Sequence, residues 1–76
     1  MTLDYFFQNT KLDNGNYIII NKKTKENDHE VNFELEVSIN DWDYEKLYNE
    51  TFKKDDEIIE FYLSDKILIV TLKPSF

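Results

Sequence analysis

The side chains that could do chemistry in this chain are mostly carboxylates. Sixteen Asp and Glu residues stand against nine lysines, with one histidine and no cysteine. Paired carboxylates can act as general acid and general base. Three pairs are close in sequence: Asp41 with Asp43, Glu34 with Glu36, and Asp55 with Asp56. Each pair also has a structural explanation, at a helix end or on the solvated face of a strand. The sequence therefore favours a protein that is not an enzyme.

Nucleophilic and metal chemistry have little support. The single histidine, His29, lies in a charged segment, and no serine occupies a nucleophile-elbow context. The adjacent residues Asp28, His29 and Glu30 would point in different directions on an extended segment. Without cysteine there are no disulfides or thiolate metal sites, and one glycine cannot build a phosphate-binding loop. We expect neither a cofactor nor a metal.

The charge balance argues against direct binding of nucleic acid. The formal net charge is −7, arginine is absent, and the lysines of 22–25 are followed by Glu26 and Asp28. Phosphate contacts need clustered basic side chains and dominate affinity. No apolar run approaches the ~18 residues of a membrane span, and no signal peptide is visible. We therefore expect a cytoplasmic protein that contacts neither nucleic acid nor membrane.

Acidic residues are concentrated in 34–60, where ten carboxylates stand against three lysines. Such charge attracts a basic partner and accelerates its capture. The predicted partner-binding surface consists of Glu34, Glu36, Asp41, Trp42, Asp43, Glu50, Asp55, Asp56 and Glu57. Trp42 is either an exposed aromatic anchor of this surface or a side chain packed against a strand end.

These features favour a small, non-enzymatic inhibitor of a basic nucleic-acid-handling enzyme. Phages and mobile elements use small acidic proteins, some of them DNA mimics, against restriction, repair, transcription or CRISPR enzymes. Two alternatives stay open: a homo-oligomeric structural or accessory module, and an immunity protein or antitoxin that binds a basic toxin. Acidity that serves only solubility would need no partner.

The elements that must position these side chains belong to one domain of 76 residues, without a linker. Hydrophobic periodicity and turn signals predict strands at 4–12, 16–23 and 31–37, a helix over 40–53, and strands at 58–63 and 66–73. Asp13-Asn14-Gly15 predicts a hairpin turn, although residues 2–8 could instead form a short helix capped by Thr2. The predicted fold is α+β, with a curved antiparallel sheet of about five strands (order β-β-β-α-β-β) and one helix on one face.

This fold implies a core on the helix side of the sheet. The predicted core residues are Ile19, Val31, Phe33, Leu35, Val37, Tyr44, Leu47, Tyr48, Ile59, Phe61, Leu68 and Val70. The assignment of the last hairpin assumes a turn at Ser64 and Asp65. Its other face is also apolar, and a single helix cannot cover it. That face, a possible homodimer surface, carries Ile58, Tyr62, Ile67 and Ile69.

Overall fold

The structure, a computed structural model, describes residues 1–11, 15–41 and 47–76. The elements in chain order are helix α1 (Leu3–Asn9), strands β1 (Tyr17–Glu26) and β2 (His29–Ser38), a 3-10 turn (Ile39–Asp41), and strands β3 (Ile58–Ser64) and β4 (Ile67–Leu72). The α+β class is confirmed. The sheet has four strands instead of the five expected.

The strands lie in the order β2-β1-β4-β3. The pairs β1–β2 and β3–β4 are antiparallel, as predicted, whereas β1 and β4 are parallel, from Tyr17 beside Ile67 to Asn21 beside Thr71. The sheet is therefore mixed. Its two central strands contain the longest apolar runs, four residues each, which are typical of strands with few solvated positions.

The predicted first strand over 4–12 is wrong, and the alternative of a short helix is confirmed. Thr2 is the N-cap of α1, and its Oγ1 accepts a hydrogen bond from the Tyr5 backbone N–H at 3.2 Å. The buried residues of the helix follow i, i+3, i+4 spacing, which places them on one face. They are Leu3, Phe6 and Phe7.

The first hairpin forms later in the chain than the sequence suggested. The residues between the predicted strands 16–23 and 31–37 mostly belong to strands, because β1 continues to Glu26 and β2 begins at His29. Asn27 and Asp28 have φ values of 51° and 66°, the combination that a type I′ turn requires. Asn and Asp tolerate this left-handed conformation, so they replace the Asn-Gly pair that we expected to make the turn. Residues 12–14 of that predicted turn lie outside the described residues.

The last hairpin turns one residue later than predicted. Its loop is Asp65-Lys66, with Asp65 at φ 57°. Leu63 therefore lies opposite Leu68, and Phe61 opposite Val70. Moving a two-residue turn by one residue shifts the register by two, so Phe61, Leu68 and Val70 still share a face, as predicted. A β-bulge between Ile58 and Glu60 does change the alternation, and it places Ile58 on the core side.

Residues 42–46 of the helix predicted over 40–53, with Tyr44 of the predicted core among them, lie outside the described residues. Residues 48–53 are irregular. Leu47 is fully buried, as predicted. The helix that packs on the sheet was expected after the third strand, but the described α-helix, α1, precedes all the strands in the chain.

The core lies between α1, the segment 47–52 and one face of the sheet. It consists of Leu3, Phe6, Phe7, Ile18, Ile20, Leu47, Phe52, Leu68, Val70 and Leu72, with Phe33, Leu35, Ile39, Tyr48 and Ile58 packed partly against it. Five predicted core residues lie outside this core, and two of them, Val31 and Val37, are half-buried on β2. Ile19 faces the other side of the sheet, and Ile59 and Phe61 are 58% and 49% exposed. Val31, Val37 and Phe61 lie on the outer strands β2 and β3. Ile59 is the extra residue of the β-bulge, and Ile19 pairs with Glu36 on the solvated side of β2.

A lysine lies inside this apolar layer. Lys22 on β1 is 4% exposed. Its Nζ donates to Asp56 Oδ1 and Oδ2, at 2.8 and 3.0 Å, and to the Thr51 carbonyl oxygen at 2.6 Å. A buried ammonium group must be paired and hydrogen-bonded to be tolerated. The contact therefore attaches the segment 51–56 to the covered face of the sheet.

We predict that Asp56→Asn destabilises the fold by about 3–5 kcal/mol, because it leaves the Lys22 charge buried without its counter-ion. Urea unfolding followed by circular dichroism measures the loss. Asp55→Asn is the matched control, since Asp55 is exposed, and it should change stability by less than about 0.5 kcal/mol. Equal stabilities for the two variants would show that the ion pair does not anchor the segment.

We also predict that Thr2→Ala costs about 1 kcal/mol, because it removes the oxygen that caps α1. Thr2→Ser keeps a capping hydroxyl and should recover most of that stability in the same unfolding measurement. Equal losses in the two variants would mean that the threonine methyl group, and not the cap, supports this end of the helix.

Candidate functional site

The sheet has one covered face and one open face. The covered face carries Lys22 and the core residues of β1 and β4. Side chains alternate along each strand, so the register assigns the residues between them to the opposite side. This open face contains Tyr17, Ile19, Asn21, Glu34, Glu36, Glu60, Tyr62, Ile67, Ile69 and Thr71.

The open face has an apolar centre. One row across the four strands runs Tyr62, Ile69, Ile19, Glu36, and in the adjacent row Ile67 lies beside Tyr17. Tyr17 and Tyr62 are 47% and 49% exposed, and Ile67 is 38% exposed. Tyrosine is enriched at protein interfaces because it offers a large apolar ring with a polar end. The centre of the open face therefore has the composition of a contact surface.

Glutamates flank this apolar centre on the two outer strands. Glu34 lies opposite Asn21, and Glu36 opposite Ile19, on the β2 side; Glu60 lies opposite Thr71 on the β3 side. None of the three has an ion pair among the described residues. Glu34 and Glu60 end the same row, three strand spacings or about 14 Å apart. The open face therefore combines exposed apolar side chains with uncompensated negative charge.

Among the paired strand residues that the structure describes, lysine appears on the open face only towards the tip of the first hairpin. There Lys25 lies opposite Glu30, and Lys23 opposite Asn32. Opposite charges on facing residues of an antiparallel pair reduce the local field. The strongest negative charge of this face is thus at the Glu34 and Glu36 end of β2.

The residues of the predicted acidic surface lie on opposite faces of the sheet. Glu34 and Glu36 lie on the open face, whereas Asp56 pairs with Lys22 on the covered side. Glu57 lies 3.9 Å from the Lys73 ammonium group, so two of the three acids in 55–57 have a lysine partner. Asp55 and Glu50 are exposed.

The side chains of three further residues of the predicted surface are not among those that the structure describes. Asp41 ends the 3-10 turn, and its side chain lies outside the described set. Trp42 and Asp43 also lie outside the described residues. The carboxylates that the structure places on one surface are therefore those of Glu34 and Glu36, joined by Glu60, which the sequence did not single out for partner binding.

The predicted oligomer surface is partly assembled. Tyr62, Ile67 and Ile69 lie together on the open face. Ile58 packs on the core side instead, because the β-bulge after it shifts the alternation. Sequence reasoning missed Tyr17 and Ile19 as members of this face. The signal for them was the unbroken run Tyr17–Ile20, which is typical of a strand with apolar side chains on both faces.

Among residues 1–11, 15–41 and 47–76, no three His, Asp or Glu side chains converge in a way that could hold a metal ion. Within the same ranges, no helix has the length and hydropathy to cross a membrane. Comparison of the chain with protein-family models, with curated proteins and with solved structures finds no match.

Proposed function

We propose that this chain is a small, non-enzymatic protein-binding module that inhibits a basic nucleic-acid-handling enzyme. The observation that carries the proposal is the open face, where exposed tyrosine and isoleucine side chains lie between Glu34 and Glu36 on one edge and Glu60 on the other. Protein interfaces commonly have an apolar centre and a polar rim.

The rim charges favour a basic partner. Glu34 and Glu36 are two residues apart on β2, so they lie on the same face, about 7 Å from each other. The whole chain carries a net charge of −7, which attracts a positive surface over a longer range than the rim alone. An enzyme that holds nucleic acid presents lysines and arginines for phosphates. Carboxylates that occupy those side chains would block access of the nucleic acid.

The exposed apolar centre also supports the alternative of a homo-oligomer, because Tyr62 and Ile67 would be buried by self-association. A two-fold interface uses the same surface of both copies. It would therefore bring Glu34, Glu36 and Glu60 of both copies into one interface. No lysine lies beside these glutamates on the described open face to neutralise them. Like charges at an interface oppose association, so the open face suits a basic partner better than a second copy.

We predict that Glu34→Lys/Glu36→Lys abolishes partner binding without unfolding the domain, because both side chains are exposed. The matched control is Glu26→Lys/Glu50→Lys, which reverses two exposed acids outside the open face. Each protein is immobilised through a C-terminal tag, and a lysate is passed over it at low and at high salt. Wild type and control should retain the same basic nucleic-acid-handling protein at low salt and release it at high salt.

The retained protein is then purified, and its nucleic-acid activity is measured as wild-type chain is added. We expect inhibition that saturates at a fixed molar ratio and is lost in Glu34→Lys/Glu36→Lys. Equal retention by both double variants would contradict a role for the open face. A chain that retains only itself, independently of salt, would favour the homo-oligomer and make the charge a solubility feature.

A further inference from the structure

The two outer strands of the sheet differ in how their edges are protected. Natural edge strands commonly carry charged side chains that discourage pairing with another chain. β2 follows this rule, with Glu30, Glu34 and Glu36 along its length. β3 contains a single charged residue, Glu60. Its other central residues are apolar and 49–62% exposed, and they are Ile59, Phe61, Tyr62 and Leu63.

The outer edge of β3 already accepts a strand at its beginning. Every second residue of an antiparallel strand directs its main-chain N–H and C=O away from its partner. At the start of β3 these groups are used, because the Ile58 N–H donates to the Met1 carbonyl oxygen at 2.8 Å. Thr2 and Glu57 form an antiparallel bridge beside it. Beyond this point, no described residue pairs with the outer edge of residues 59–64.

A cleft of about 460 Å³ lies beside this free edge, between α1 and β3. Tyr5 and Phe6 of the helix line one side, and Phe61 and Leu63 of the strand line the other. The Phe6 and Phe61 rings are in contact, with centroids 4.9 Å apart. A strand added to β3 would direct every second side chain towards this cleft. The cleft would therefore take apolar side chains.

The charges around β3 indicate which side chains an added strand should carry at the positions that do not point towards the cleft. Glu57 precedes the strand, Glu60 lies within it on the open face, and Asp65 follows it. Glu57 already has Lys73 as a partner. An added strand would therefore run beside the carboxylates of Glu60 and Asp65, which have no ion pair among the described residues, and its residues on that side should be basic. A second copy of this chain would bring its own β3 carboxylates against them, and each copy carries a net charge of −7. The occupant that fits is a segment of another protein.

We propose that residues 59–64 of β3 bind an extended segment of a basic partner protein as an additional strand, with its apolar residues in the cleft and lysines or arginines on the alternate positions. This is strand addition, in which main-chain hydrogen bonds supply affinity and alternate side chains supply specificity. The inference rests on the proposed function in one respect, the basic character of the partner.

The test uses a short capped peptide of alternating valine and lysine, labelled for fluorescence anisotropy, with a valine–glutamate peptide as the control ligand. The valine–lysine peptide should bind, and the valine–glutamate peptide should not. Amide hydrogen exchange, read by NMR on the intact chain, should slow in 59–64 and stay unchanged along β2. Leu63→Lys places a charge at the cleft and should lower the peptide affinity about tenfold or more.

The matched variant is Asn32→Lys, which adds the same single charge at an exposed position of β2, the opposite edge strand. It should bind the peptide within about threefold of wild type. Protection of β2 in place of β3, or equal binding by Leu63→Lys and wild type, would overturn the proposal. A dimer whose β3 amides are protected without peptide would also overturn it, because a second copy would then be the occupant. Retention of a natural partner through the open face, with no peptide bound at β3, would reject this inference and leave the proposed function standing.

Discussion

The buried ammonium group of Lys22 determines how the irregular part of the chain lies on the sheet. Its three hydrogen bonds end on Thr51 and Asp56, so a segment without helix or strand is fixed at one depth and in one orientation. Asp56 carries this constraint further, since its carboxylate also accepts from the Lys53 N–H at 2.7 Å and its carbonyl oxygen accepts from the Leu3 N–H at 2.8 Å. One carboxylate residue thus joins the sheet, the covering segment and the start of α1.

In the same arrangement, none of the described helix or loop segments covers the other face of the sheet. A short chain buries only about 60% of the surface that it exposes when unfolded. Here α1 and the segment 47–56 both pack against the same face of the sheet. The described apolar residues of the open face therefore stay in contact with solvent. Exposed apolar area costs free energy unless another surface covers it. The open face and the free edge of β3 lie next to each other, and both remain exposed because so short a chain has few residues to cover them.

The sequence indicated local features well and long-range ones poorly. Alternation in 31–37 predicted β2, and Thr2 marked a possible helix start. The face of Ile19 was assigned wrongly because that assignment depended on strand order, which no local pattern contains. A turn displaced by one residue, at Asp65-Lys66, left the two sides of the last hairpin as predicted, and only the β-bulge after Ile58 changed the face of a residue. The division of the acids could not be foreseen, because it follows from Lys22 entering the core and taking Asp56 with it.

The parallel pairing of β1 with β4 has a consequence for the order in which the molecule can form. The hairpin of β1 and β2 closes over a two-residue turn, whereas Tyr17 meets Ile67 only after most of the chain has been folded back. Closing so long a loop costs entropy before any contact repays it, which slows folding. On the ribosome, one edge of β1 stays unpaired until β4 emerges. A surface that spans all four strands is therefore among the last features of the molecule to exist.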